Sequence, residues 1–234
     1  DAEFYTSRIT GYTNHIGNMI SETPINELLQ VALQASRSAR ELILSYYNGD
    51  FDIEIKADQT PVTVADRKAE LLIRKTINDA FPDHGIYGEE YGAEGKDTEY
   101  LWLIDPIDGT KSFVKRYGMF STQIALMRNG ELILGVSCAP AMDELVWATR
   151  GGGAFDASGQ LHISGVDTIG QASISTGNIQ SLAADKRWAA LGRILANTNR
   201  TRGYGDYYHY HRLAAGQLDA VIESDVNILD IAAL

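Results

Sequence analysis

Apolar residues in the first well-patterned stretch recur every three or four positions. Ile25, Leu28, Leu29, Ala32, Ala35, Ala39, Leu42, Ile43 and Tyr46 share one face of a 3.6-residue repeat. The spacing predicts a helix from Pro24 to about Tyr47, with Thr23 as N-cap, Pro24 at the first helical position and Asn48-Gly49-Asp50 as its stop. The pattern then alternates over 51–56, as a strand does, and turns at Asp58-Gln59-Thr60-Pro61. A second amphipathic helix runs from Val64 to Phe81, where Pro82-Asp83 breaks it. Residues 84–88 read as a short strand that delivers Glu89 and Glu90 to a polar loop over 91–99. Leu101-Trp102-Leu103-Ile104 is an uninterrupted apolar run, the mark of a buried strand.

Beyond it, strands over 120–127 and 131–137 meet at Arg128-Asn129-Gly130, where Asn-Gly favours a tight hairpin, and 145–149 adds a further strand. Arg150-Gly151-Gly152-Gly153-Ala154-Phe155 has the glycines of a dinucleotide loop, but no helical pattern follows, so a hairpin through Ser158-Gly159 is expected instead. The second half reads as a strand at 172–176, a helix at 184–195, a strand edge at Arg202-Gly203-Tyr204-Gly205, a helix at 207–215 and a strand at 220–223. Helices and strands alternating over the whole length imply stacked layers, α/β or α+β. Residues 1–23 are polar, aromatic and poorly periodic, an arm or an extra helix. Residues 24–160 read as an α+β half and 161–234 as a C-terminal α/β half.

The candidate chemistry sits where the apolar run at 101–104 meets Asp105-Pro106-Ile107-Asp108-Gly109-Thr110-Lys111. A carboxylate at the end of a buried strand needs a partner, and a metal ion shared by Asp105 and Asp108 supplies one; an Asp-rich turn is the plainer alternative. Gly109 permits close backbone approach, and the amides of Gly109, Thr110 and Lys111 open a short helix suited to an anion. Carboxylates beside such a helix start suggest a divalent cation shared with a phosphate. His84, His162, His209 and His211 are scattered, which suits surface or structural roles and makes zinc a poor fit. Hard oxygen ligands suit Mg²⁺.

Asp105-Pro106-Ile107-Asp108-Gly109-Thr110, preceded by Gly88-Glu89-Glu90 and followed by Leu229-Asp230-Ile231-Ala232-Ala233, resembles the inositol monophosphatase superfamily, most of all its histidinol-phosphate phosphatases. The resemblance spans residues 24–234 and implies an α+β layered sandwich (α-β-α-β-α) with the metal-binding core in 24–160 and a substrate-determining half in 161–234. Relatives continue for several elements beyond the position of Leu234, so either further residues follow or the chain is unusually short. It implies that Glu89, Asp105 and the Ile107 carbonyl hold one metal, that Asp105, Asp108 and Asp230 hold a second, and that Glu89 and Asp66 complete a weaker third site. Thr110 matches the family's water activator, linked to Asp66 while Glu89 orients the attacking hydroxide, and the amides of Gly109 and Thr110 bind phosphate. The cofactor is then Mg²⁺, two or three per site, with Mn²⁺ as a substitute and Li⁺ as an inhibitor. Glu90, adjacent to Glu89, is expected to face away from the metals or toward solvent, and Lys56 to lie near the site.

Glu223 stands seven residues before Asp230, where inositol-specific relatives place an acid, and Asp206 lies in a Gly-Asp-aromatic segment like that of histidinol-phosphate relatives. Two anions suit the ammonium of histidinol phosphate. An inositol phosphate and 3'-phosphoadenosine 5'-phosphate remain alternatives, although no basic cluster in the second half is evident for the second phosphate of the latter. A catalytically silent interaction protein is the alternative of another class.

Composition narrows the partners. With 20 Lys and Arg against 31 Asp and Glu, net charge -11, the chain argues against general affinity for nucleic acid. The one cysteine, Cys138, ends an apolar strand and reads as core; it excludes an internal disulfide framework and fits a reducing, cytoplasmic compartment. No apolar run reaches membrane-spanning length. The expected partners are a small phosphorylated substrate and, by family likeness, a second copy in a homodimer, with no nucleic acid and no membrane.

Overall fold

The structure, a computed structural model, describes residues 24–49, 53–55, 61–95 and 97–234. The expected N-terminal arm, the Thr23 cap, Lys56 and most of the turn at 58–61 lie outside the described residues. Pro24 takes the N-cap position rather than the first helical one, with an extended backbone (φ -57°, ψ 134°). Helix α1 (Ile25–Tyr47) buries Leu28, Leu29, Ala32, Leu33, Ala35, Ala39 and Ile43, the face that the apolar spacing marks.

Strands β1 (Ile53–Ile55) and β2 (Pro61–Thr63) pair antiparallel and lead into α2 (Val64–Ala80). This helix starts on a capping box: the Thr63 hydroxyl accepts the amides of Ala65 and Asp66, while the Thr63 amide donates to Asp66 Oδ2 at 2.8 Å. Two buried stripes run side by side along α2. Ala65, Ala69, Ile73 and Ile77 are apolar, whereas Asp66, Glu70 and Arg74 are charged.

The central sheet contains β3 (Gly85–Gly88), β4 (Gly92–Glu94), β5 (Tyr100–Asp108), β6 (Ser121–Arg128), β7 (Glu131–Ala139), β8 (Glu144–Thr149), β9 (Gly153–Asp156) and β10 (Gly159–Gln160) in the order β10-β9-β8-β7-β6-β5-β3-β4. Only the β3–β5 pair is parallel. Strand β4 falls in the segment expected to be a loop; three residues pairing with β3 are too few to show a period. The Asn129-Gly130 hairpin forms with both residues at positive φ, 51° and 82°, as a tight primed turn requires. Strands β9 and β10 form the hairpin expected in place of a dinucleotide loop. Cys138 is buried, and its burial raises the thiol to about 11.

Alternation along β5 assigns its two faces. Trp102 and Ile104 join the large core with α1 and α2, whereas Leu103, with Ala125 of β6, packs against Leu229 of α7 (Ile228–Ile231) on the other side. A second sheet, of the parallel strands β11 (Ser173–Thr176), β12 (Arg200–Arg202) and β13 (Ala220–Ile222), has the order β12-β11-β13. The helix expected over 184–195 starts four residues late as α5 (Trp188–Leu195), and a helix not expected, α4 (Ile179–Ala184), precedes it. Asp185 separates them, because its side chain accepts the Arg187 amide at 2.7 Å and holds a non-helical turn. The crossover from β11 to β12 carries α4 and α5; the return to β13 carries α6 (Asp206–Ala214). Right-handed crossovers running in opposite directions put these helices on opposite faces of the small sheet.

Helix α6 ties the two sheets together. His209 and His211, both buried, lie about 200° apart around it. His209 Nδ1 meets Ser175 Oγ on β11 at 3.2 Å, while His211 Nε2 meets Ser137 Oγ on β7 at 2.8 Å and its Nδ1 meets Glu144 Oε2 on β8 at 3.0 Å. Helix, sheet, helix, sheet and helix succeed one another, the α+β layered fold expected from the sequence. Among the described residues no helix is long and apolar enough to cross a membrane.

Candidate active site

The acids converge where β3 and β5 end. Gly88 of β3 pairs with Ile104 of β5, and the Glu89 amide donates to the Ile104 carbonyl at 3.1 Å, so Glu89 comes off its strand beside Asp105. Asp105 and Asp108 are three residues apart, and strict alternation would turn them to opposite faces. A bulge prevents this. Asp105 pairs with Gln123 and Asp108 with Ser121, so β5 spends three steps where β6 spends two. The extra residue restores the parity and turns both carboxylates to the α7 side. Ile107 drops into the large core, and its amide donates to Asp105 Oδ1 at 3.0 Å.

Helix α7 supplies the third carboxylate. Asn227 caps it, and the Asn227 amide and side-chain amide donate to the two oxygens of Asp230 at 2.8 and 2.7 Å. Leu229 packs on Leu103 and thereby holds Asp230 over the end of β5. One ligand oxygen from each of Asp105, Asp108 and Asp230 lies within 4.8 Å of the others.

The turn after Asp108 opens α3 (Thr110–Val114), as expected. Gly109 has φ 85°, and a Cβ there would stand 2.8 Å from the Met119 carbonyl oxygen, so only glycine fits. Thr110 Oγ1 lies 3.3 Å from Asp66 Oδ1 and 3.1 Å from the Ile107 carbonyl oxygen, which its single proton can serve alternately. Asp66 also receives the Thr63 hydroxyl at 2.5 Å. Both readings of Asp66 therefore hold together, as helix cap and as Thr110's neighbour.

The electrostatics are those of crowded, buried anions. Burial, then the charges of Glu89, Asp108 and Asp230, pushes Asp105 well above the usual carboxylate range. Burial does the same to Asp108, reinforced by Asp206, Asp230, Glu223 and Glu89. Asp66, Asp206 and Asp230 are raised as well, chiefly by burial and against the hydrogen bonds they accept. Carboxylates that repel each other to this degree, with no His or Cys in the group, fit a hard divalent cation.

Asp206 opens α6 in a left-handed conformation (φ 48°) and accepts a hydrogen bond from Ser112 Oγ at 3.3 Å, which ties the second half to α3. Glu223 follows β13; its Oε2 accepts Tyr210 Oη at 2.8 Å and meets His209 Nε2 at 3.0 Å. Asp66, Glu89, Asp105, Asp108, Asp206, Glu223 and Asp230 thus act on one another through their charges, and Thr110 bonds Asp66; Lys56 lies outside the described residues.

Several supporting residues escaped sequence reasoning: Thr63, Glu70, Arg74, His209 and Tyr210. The signal for two of them was present, since charges at 66, 70 and 74 share a helical stripe beside an apolar one. The second half also holds a basic cluster that was not evident in the sequence. Arg200, Arg202 and Arg212 line a cavity of about 170 Å³ with Tyr204 and Tyr208, and none of the acids above lines it. Strand β12 and the helix that follows it, α6, bring these arginines together. Ser137, His211 and Glu144 form a hydroxyl–imidazole–carboxylate line, but Ser137 is buried and cannot meet a substrate.

Comparison with known proteins agrees with this geometry. The model of the inositol monophosphatase family matches residues 25–234. A histidinol-phosphatase of Mycobacterium tuberculosis is 36% identical over 218 residues, 88% of this chain and 82% of that protein. An inositol-1-monophosphatase of Mesorhizobium japonicum is 34% identical over 218 residues, 89% of this chain and 79% of that protein. The solved structure of the extragenic suppressor protein suhB of Bartonella henselae superposes with a TM-score of 0.81 at 29% identity, over 88% of this chain and 81% of that one.

Proposed function

The chain belongs to the inositol monophosphatase family of metal-dependent phosphatases, and from that premise we propose that it hydrolyses L-histidinol phosphate to L-histidinol and phosphate. The observation that carries the reading is the bulge that turns Asp105 and Asp108 toward Asp230 beside the start of α3. The donor set fits Mg²⁺, with Mn²⁺ as a substitute. Glu89, Asp105 and the Ile107 carbonyl would hold one ion, Asp105, Asp108 and Asp230 a second, and Glu89 with Asp66 a third. When bound, such ions polarise phosphoryl oxygens and make hydroxide available at neutral pH.

The chain's own groups do the rest. The amides of Gly109 and Thr110 bind phosphate oxygens at the start of α3. Thr110 Oγ1 donates its hydrogen bond to Asp66 Oδ1 or the Ile107 carbonyl oxygen and turns a lone pair toward the attacking water. Asp66, raised by burial, is a better proton acceptor than an exposed aspartate. Water oxygen bonds to phosphorus as its proton passes to Thr110 Oγ1 and the Thr110 proton to Asp66 Oδ1, the ester P–O bond breaks, and the leaving alkoxide takes up a proton from solvent water.

Substrate choice falls to the second half. Asp206 and Glu223 both act on Asp108 through their charge, and two such anions favour an ammonium-bearing ester over a neutral polyol. His209 and Tyr210 bond Glu223 Oε2 and hold the carboxylate in place. The names of the relatives support both histidinol phosphate and an inositol phosphate, and the paired anions favour the first. A homodimer belongs to the same proposal.

The test is a side-by-side measurement of Mg²⁺-dependent kcat/KM for histidinol phosphate, myo-inositol 1-phosphate and 3'-phosphoadenosine 5'-phosphate. Histidinol phosphate should rank first, and Glu223→Gln should lower its kcat/KM by roughly 10-fold or more, the equivalent of one charge-assisted hydrogen bond. A higher rank for either competitor overturns the substrate. No phosphate release from any ester overturns the catalytic reading.

A further inference from the structure

Glu70 is fully buried one helical turn beyond Asp66, and no chemical step above uses it. Its carboxylate does not serve the core. Oε2 accepts the Glu90 amide at 2.7 Å and Oε1 the Tyr91 amide at 3.2 Å, the two amides that follow Glu89. Arg74, one turn further along α2, donates to Glu70 Oε1 at 2.8 Å and reaches the Gly92 carbonyl oxygen at 2.5 Å. Gly88, on the other side of Glu89, has no room for a side chain: a Cβ there would stand 2.0 Å from Glu70 Oε1. The charged stripe of α2 therefore grips the chain immediately before Glu89 and through the three residues after it.

We propose that Glu70, backed by Arg74, is a positioning residue that sets Glu89 against Asp105 and so determines the affinity of the metal position these two share. The proposal rests on the reading of Glu89 as a ligand. Glu89 is exposed and shares a side-chain hydrogen bond with Asp105, and the backbone that carries it sets where the two carboxylates meet. Two amides donating to one buried carboxylate fix that backbone in two directions. The arginine neutralises a charge that would otherwise be expelled from the interior. The same helix delivers Asp66 four residues earlier, so α2 links two of the acids rigidly.

The test is Mn²⁺ titration of the purified chain, read from the free-ion electron paramagnetic resonance signal, for wild type, Glu70→Gln, Gly88→Ala, Glu89→Gln and Ile77→Val. Glu70→Gln presents one acceptor where two amides need a carboxylate, and should weaken Mn²⁺ binding by about 10-fold, as loss of a group supporting a metal ligand does. Gly88→Ala drives the carboxylate from the turn without removing a charge and should act likewise. Ile77→Val, further along α2 in the apolar stripe, should lower Tm and leave Mn²⁺ affinity unchanged. Wild-type affinity in a folded Glu70→Gln protein, with Glu89→Gln weakened, overturns the positioning role. Should Glu70→Gln not fold, Gly88→Ala decides on the same criterion. Wild-type affinity in Glu89→Gln overturns the ligand reading and the positioning role with it. An Ile77→Val protein weakened as much as Glu70→Gln assigns the effect to general destabilisation and overturns the proposal.

Discussion

Asp108 reaches its neighbours by virtue of one inserted residue, and its environment shows what the insertion costs. Its carboxyl is pushed well above the usual range by burial and by four other acids. Asp108→Asn keeps the shape and removes the charge that a cation would meet. It should leave the circular dichroism spectrum unchanged and lower kcat by about 100-fold, the upper end of effects seen when a metal's surroundings are altered. Near-normal kcat would make Asp108 a turn residue only. At this scale the sequence was highly informative about acids and much less so about what holds them. Asp66, Glu89, Asp105, Asp108 and Asp230 stand in recognisable local motifs. His209 and Tyr210 do not, because Glu223 lies 13 or more residues away and no short pattern records a distant hydrogen bond; Glu70 shows only its helical stripe with Arg74, while the amides it accepts lie 20 and 21 residues away.

Among elements, α6 carries a pH-sensitive joint. Burial lowers the His211 pKa, against the raising effect of Glu144, so the folded protein holds this imidazole neutral. The unfolded chain binds a proton at about 6.5. Below that value the unfolded state carries more protons than the folded one, so stability falls with pH until the lowered folded value is passed. Glu144 is lowered by His211 and Arg212 and adds a further loss once pH drops through the carboxylate range. His211→Gln should be less stable than wild type at pH 7.5 and show a flatter decline between about pH 6.5 and 5, read from urea midpoints. Equal slopes in the two proteins would remove His211 from the joint; His84, also lowered by burial, is present in both. The boundaries of α1 and α2 were legible because each has a long apolar stripe. The break between α4 and α5 was not, since it depends on one aspartate side chain competing for a backbone amide.

Across the whole molecule, the acids come from α2, the end of β3, the end of β5, α6, the strand end after β13, and α7. A cation held by Asp105, Asp108 and Asp230 would join segments 125 residues apart in sequence and so would bind only the folded chain. Mg²⁺ at 100 times its dissociation constant should therefore stabilise the protein by about 2.7 kcal/mol. Scanning calorimetry with Mg²⁺ and with excess chelator should show a higher Tm in the first case. An identical Tm would mean that the carboxylates do not gather a cation. The sequence by itself determined the layered class, the two long helices, the hairpin at Asn129-Gly130 and the acids of the central motif. These depend on period and on residues within a few positions of one another, which short-range sterics and burial decide. Only the tertiary structure decided that the Asp105–Asp108 bulge turns both carboxylates one way, that α2 grips the Glu89 turn, that α6 joins two sheets through histidines on opposite faces, and that three arginines share a cavity. Each of these depends on register or contact between distant segments, and a linear pattern carries no information on which strand a residue will face.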